Sequence, residues 1–231
     1  MKPWLSQEYD QLFQQIHQQE ARVISFTGAS PQCGSSTMCY WLARRCAEDN
    51  NKVLLIDLDL SGSGQGNHAT DWEINGSGEM GAIINKTSQL DILPPPKNQE
   101  TTMALRQPQT LLNTIQRWQQ TYHYIIFDAG TVSAANWRNL PAANICHASD
   151  AAILCIAAAK TTESEVLTSI DRLKQGGVNL LGCIVNDQHN PSLACEILRI
   201  LDTKASWLPK KIKIGLTHYL NQNSMLQGKY Q

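Results

Sequence analysis

Ten consecutive residues, GASPQCGSST at 28–37, have the composition of a loop that cradles phosphate. They follow an apolar stretch at 22–27 and run into a helical pattern. In that setting the N–H groups of the loop and of the first helical turn converge on one small volume, where the helix dipole adds roughly half a positive charge. A working loop of this kind reads G-x-x-x-x-G-K-[ST]: the lysine neutralises phosphate charge and the following hydroxyl ligates Mg²⁺. Here Gly34 and the hydroxyl of Ser36 are kept, Ala29 stands at the first glycine, and Ser35 stands where the lysine belongs. A hydroxyl donates one hydrogen bond to a phosphate oxygen, whereas an ammonium donates three and brings the compensating charge. Two further apolar runs end in carboxylates, one in Asp57 and Asp59 and the other in Asp128. Carboxylates at the ends of buried strands are unfavourable without a cation or hydrogen-bond donors, so Asp57 and Asp128 read as Mg²⁺ ligands beside Ser36, while Asp59 taken alone reads equally as a loop cap.

The elements that must position these groups are short Val- and Ile-rich runs at 22–27, 53–57, 124–128, 151–156 and 180–185, with a shorter one at 90–93. Helical spacing separates them, around 36–49, 108–120, 163–175 and 191–202. This alternation predicts an α/β fold, a three-layer sandwich with a mainly parallel sheet whose strands are buried on both faces. Thr162 with Glu165 forms a capping box, and Gly176 supplies a helix stop. Segments 61–67 and 94–98 read as loops, since glycine freedom and proline rigidity oppose regular structure. Ahead of the first strand, Leu5, Tyr9, Leu12, Phe13 and Ile16 share one face of an amphipathic helix within residues 1–20. It either packs on the sheet or offers a surface to a partner or second copy. The whole of 1–231 reads as one domain, with no internal repeat and no linker.

Composition removes other classes. The chain has 231 residues, is 17% charged and carries a formal net charge of −1, so nucleic acid is not an expected partner. No apolar run is long enough to cross ~30 Å of hydrocarbon, and the start lacks a leader's apolar core, which points to the cytoplasm. The seven cysteines lack paired metal-ligand spacing and read as reduced packing residues, with Cys33 the one placed where a thiolate would be favoured. Six scattered histidines offer no metalloenzyme signature, and G-x-S-x-G is absent. A short basic run, Lys210, Lys211 and Lys213, reads as a solvated loop.

Taken in order and spacing, these segments resemble the MinD/ParA-type branch of P-loop NTPases, and within it the bacterial tyrosine kinases and relatives that act in exopolysaccharide synthesis and export. SPQCGSST at 30–37 is similar to that family's S-P-x-x-G-K-S-T, VLLIDLDL at 53–60 to its V-L-L-I-D-x-D-x, YHYIIFD at 122–128 to its Y-D-Y-I-I-D, and GVNLLGCIVN at 177–186 to its late strand ending in asparagine. The resemblance implies a nucleotide site at Ser30, Gln32, Cys33, Gly34, Ser35, Ser36, Thr37 and Asn186, the last near adenine. It implies Mg²⁺ at Ser36, Asp57 and Asp128, and Mg-ATP or Mg-ADP as ligand.

The departures bear on activity. Beyond Ser35, the arginine expected after D-x-D is Ser61, the ring-forming E-x-x-R-x-x-R becomes Glu8, Gln11 and Gln14, and the C-terminal tyrosine cluster shrinks to Tyr230, with Tyr219 further inside. Glutamine cannot form a charge-assisted bidentate pair with a carboxylate. The sequence thus points to a regulatory or scaffold protein whose Mg-ATP or Mg-ADP binding is weak or absent. Its implied partner is a membrane polysaccharide co-polymerase or another component of a membrane-associated secretion or assembly complex, which would hold it at the inner membrane; homodimerisation stays open. The alternatives are an active Mg-ATP-dependent ATPase or tyrosine kinase-like enzyme using Asp57 and Asp128, with a cation relocated to Lys160, whose plainer reading is a solvated lysine, or a MinD/ParA-like localisation protein. Arg44 and Arg45 read as surface residues, and Arg138 follows Asp128 in a loop.

Overall fold

Side-chain parity along the strands divides the core. In β1 (Val23–Gly28) Ile24 and Phe26 enter one apolar cluster and Val23 the opposite one; in β2 (Val53–Asp57) Val53 and Leu55 oppose Leu54 and Ile56. In β5 (Tyr124–Thr131) Tyr124 and Ile126 likewise oppose Ile125 and Phe127. Strands with period-two alternation and apolar residues on both faces require cover on both sides, and a three-layer α/β sandwich results. The computed structural model describes residues 2–60, 64–133, 140–187, 197–198, 215–220 and 223.

The other strands are β3 (Ile84–Asn85), β4 (Leu90–Leu93), β6 (Ala151–Ala157) and β7 (Leu180–Asn186), and the seven-stranded sheet runs β3-β4-β2-β5-β1-β6-β7. All neighbours are parallel except β3 with β4. One face is covered by α1 (Gln7–Gln18) and α2 (Ser35–Glu48), the other chiefly by α5 (Pro108–Gln119), α6 (Ala142–His147) and α7 (Glu163–Gln175). Three short helices, α3 (Glu79–Ala82), α4 (Gln99–Leu105) and α6, and the two-residue β3 were not anticipated, being too short to display a period. The expected helix at 191–202 lies outside the described residues apart from 197–198.

Local signals place the ends of α7. Thr162 accepts from the Glu165 N–H while Glu165 accepts from the Thr162 N–H, which completes the capping box, and Gly176 is the C-cap. The left-handed turn that follows belongs to Gly177, at φ +66°.

Two expectations are corrected. Strand β7 is not buried on both faces: it ends the sheet, and Val185 is 63% exposed. Leu5 is outside α1, because Pro3 opens a separate 3₁₀ turn and Ser6 is extended; Leu5 is 49% exposed. The remaining apolar face of α1 is used internally. Tyr9 and Ile16 are buried, Leu12 and Phe13 pack on the same cluster, and the Phe13 ring meets Tyr124 at 6.0 Å. Burying a side chain such as Ile16 contributes about 1.5–3 kcal/mol. Arg45 locks the arrangement: its Nε donates to Asp10 at 2.6 Å, its Nη1 pairs with Asp49 at 3.1 Å, and its guanidinium lies over Phe13. Arg44 lies over Trp4. Both arginines therefore hold the N-terminal segment to α2. Glu8, Gln11 and Gln14 form the exposed side of α1.

The chain divides into two compact units, Met1–Asn186 and Asp187–Gln231. In the second, residues 215–220 are helical and Tyr219 is exposed. Among the described residues no helix is long and apolar enough to cross a membrane.

Candidate phosphate and cation site

The parity that divides the core also aims the carboxylates. Asp57 continues the series Val53, Leu55, and Asp128 the series Tyr124, Ile126, so both point to the α2 face. Register places them side by side, Asp57 opposite Asp128 on adjacent parallel strands at their C-terminal ends. That edge of an open parallel sheet is where ligands sit.

Above them, the loop after β1 turns sharply into α2. Gln32 and Gly34 have positive φ, +59° and +90°. A side chain at Gly34 would be strained and would meet Asn186 Nδ2 at 2.3 Å, so the position requires glycine. Asn186 ends β7 and donates from Nδ2 to the Cys33 carbonyl at 3.0 Å, pinning the loop. The first bond inside α2 runs from Met38 N–H to the Gly34 carbonyl, leaving the N–H groups of Ser35, Ser36 and Thr37 without partners within the helix. The structure therefore brings Ser30 to Thr37, Asn186, Asp57 and Asp128 into one region. Ser35 is buried at the helix start, and Cys33 is 1% exposed, packed against Gly28, which leaves its sulfur little access to oxidants.

The acid pair is electrostatically burdened. Asp57 is 1% exposed and its carboxyl is pushed up to about 6 by burial, opposed by the N–H groups of Gln65 and Asp59, with the Asp59 charge adding to the rise. Asp128 is fully buried and pushed up to about 7, first by burial and then by the charge of Asp57; the Ser36 hydroxyl and the Gln65 amide oppose this. Among the described residues Asp128 Oδ1 has no hydrogen-bond partner. A hydroxyl and two carboxylates, one with an orphaned buried oxygen, fit a small divalent cation that completes its shell with water or phosphate oxygens. Among the described residues no group of three or more His, Cys, Asp or Glu side chains converges as an all-protein metal site.

Three residues, Gln65, Thr161 and Lys160, reach the acid pair or the loop without a motif to mark them in the sequence. Gln65 N–H donates to Asp57 Oδ2 at 2.6 Å, and its side-chain amide donates to Asp128 Oδ2 at 2.8 Å and to the Ser36 carbonyl at 2.9 Å. Across the loop, Thr161 Oγ1 lies 2.7 Å from Ser30 Oγ and accepts from Ala157 N–H. Lys160 Nζ donates to Gln32 Oε1 at 3.0 Å, which brings that ammonium to the rim of the loop. Arg138, Ser61, Cys195, Lys210, Lys211, Lys213 and Tyr230 lie outside the described residues.

No protein-family profile matches the chain. It is 28% identical over 181 residues to the tyrosine-protein kinase etk of Escherichia coli K12, covering 72% of this chain and 24% of that protein. The chain thus spans about a quarter of the length of the curated relatives it matches. Among solved structures, the kinase domain of E. coli ETK superposes with a TM-score of 0.61 at 21% identity, covering 78% of this chain and 72% of that one. The septum site-determining protein MinD complexed with Mg-ADP, from Pyrococcus horikoshii OT3, superposes with a TM-score of 0.54 at 20% identity, covering 84% and 76%.

Proposed function

We propose, from the premise that this chain is homologous to bacterial tyrosine kinase domains and has the MinD/ParA-type P-loop NTPase fold, that it is a regulatory or scaffold protein built on a degenerate nucleotide site. In this reading ATP hydrolysis is weak or lost and tyrosine kinase activity is absent. The protein acts with a membrane polysaccharide co-polymerase, or a comparable membrane-associated assembly, in exopolysaccharide biosynthesis.

One observation carries the proposal: Asp57 and Asp128 are buried side by side beneath a loop in which Ser35 replaces the lysine. A triphosphate entering that loop meets negative charge without the ammonium that normally offsets it. Ser36, Asp57 and Asp128 are the residues that would hold Mg²⁺, which when bound would screen part of that repulsion. The loop N–H groups still receive phosphate oxygens, but the transition state lacks a pre-aimed cation. Losing one such contact typically costs ~2.7–4 kcal/mol, a factor of ~10²–10³ in rate.

Calorimetric titration with Mg-ADP and Mg-ATP, paired with a phosphate-release assay, tests this. The expected result is no release above that of Asp128→Asn, with Ser35→Lys raising nucleotide affinity about tenfold or more. Phosphate release by the unmodified chain that disappears in Asp57→Ala overturns the proposal.

A second reading has a specific observation behind it. Lys160 reaches the loop through Gln32, so a cation relocated from the β6–α7 connection would serve an active enzyme. Its signature is nucleotide binding by the unmodified chain that is lost in Lys160→Ala.

A further inference from the structure

We infer that Gln65 is a built-in stopper, whose backbone N–H and neutral carboxamide hold carboxylate oxygens of Asp57 and Asp128 and which must be displaced before a divalent cation can enter between them. The inference rests on the reading of this region as a phosphate–cation site. Its evidence is the set of atoms that Gln65 engages. The side-chain nitrogen spans the Ser36 backbone carbonyl and Asp128 Oδ2, and the backbone N–H takes Asp57 Oδ2, so one residue bonds to both carboxylates assigned to the cation and to the backbone of the third residue. A hard cation would demand carboxylate oxygens from the same pair. Carboxamide and cation therefore compete for one small volume.

The approach is also written into the residue before it. A Cβ at Gly64 would lie 2.3 and 2.5 Å from the two Asp57 carboxylate oxygens and 2.7 Å from the carbon that joins them, so only glycine lets the chain come down this close to Asp57. A carboxamide suits the task because it donates two N–H groups without carrying charge. It satisfies part of the acid pair by hydrogen bonding and leaves Asp128 Oδ1, buried and without a partner, as an acceptor that the stopper does not fill.

The test uses Mn²⁺ alone, titrated into the full chain and followed by the electron paramagnetic resonance signal of the free ion. Gln65→Ala is expected to bind Mn²⁺ at least tenfold more tightly than the unmodified chain, and adding Asp128→Asn is expected to abolish that gain. Gly64→Ala pushes the backbone off Asp57 and is expected to tighten Mn²⁺ binding independently, so the test survives if the first variant folds poorly. Equal affinity in the unmodified chain and both variants overturns the stopper, and so does undetectable binding in all of them. Because no nucleotide is present, phosphate release by the unmodified chain would defeat the proposed loss of hydrolysis and leave this result standing.

Discussion

The two ends of the sheet bury acidic groups in opposite ways. At the N-terminal ends of β2, β4 and β5, around a cavity lined by Glu79, Asp91, Arg117 and Tyr122, every buried carboxylate is provided for. Arg117 grips Glu79 with both terminal nitrogens, 2.7 Å on one side, and Trp118 Nε1 adds a donor. Asp91 takes the Tyr122 hydroxyl at 2.9 Å and the Asn85 amide. At the C-terminal ends, Asp57 and Asp128 crowd one another, and among the described residues no cation is in contact with them and one oxygen is orphaned. The first cluster is arranged for the folded state, while the second costs it stability.

That contrast predicts opposite mutational signs. The largest effect is expected at the satisfied end: Glu79→Ala strands a partly buried guanidinium and should destabilise by about 3–5 kcal/mol, read from urea unfolding. A loss under about 1 kcal/mol would erase the distinction between the two ends.

At the other end Asp128→Asn should stabilise, and the gain should depend on pH. The folded-state carboxyl sits at about 7, above its unfolded value near 4, so ionisation costs the folded chain. The penalty is absent below about pH 4, grows as pH rises toward about 7, and is constant above. Asn removes it, so the advantage of the variant should increase by about 2–4 kcal/mol between pH 4 and pH 8. An advantage that does not vary with pH would show that Asp128 is not the burdened group. Smaller again, Tyr122→Phe should cost about 1.5–3 kcal/mol by removing the hydroxyl from Asp91, and should leave Mn²⁺ binding at the other end unchanged.

Much of the fold was legible because long buried strands and helices announce themselves by period. The 163–175 helix matches its capping box at one end and Gly176 at the other, and the loop, Asp57 and Asp128 were readable because each follows an apolar run directly. Gln65 was not, since a residue in a glycine-rich loop reaches the site through backbone path alone, with no period or motif to mark it. The Glu79–Arg117 pair escaped for a related reason: its partners are 38 residues apart and meet only through the tertiary fold. Lys160 was identified as a candidate cation, but its approach to Gln32 depends on how the β6–α7 connection bends, with Ala159 at a positive φ.

The bend at Gly34, pinned by the bond from Asn186 to the Cys33 carbonyl, separates two properties that phosphate-binding loops usually carry together. The contour of the bend is fixed by a residue without a side chain and by an amide from a distant strand, and neither contributes a full charge. Ser35, at the next position, therefore adds no charge to the bend and is not what holds its shape. Contour and charge are thus set by different residues at this bend, and a substitution can alter one of them without the other.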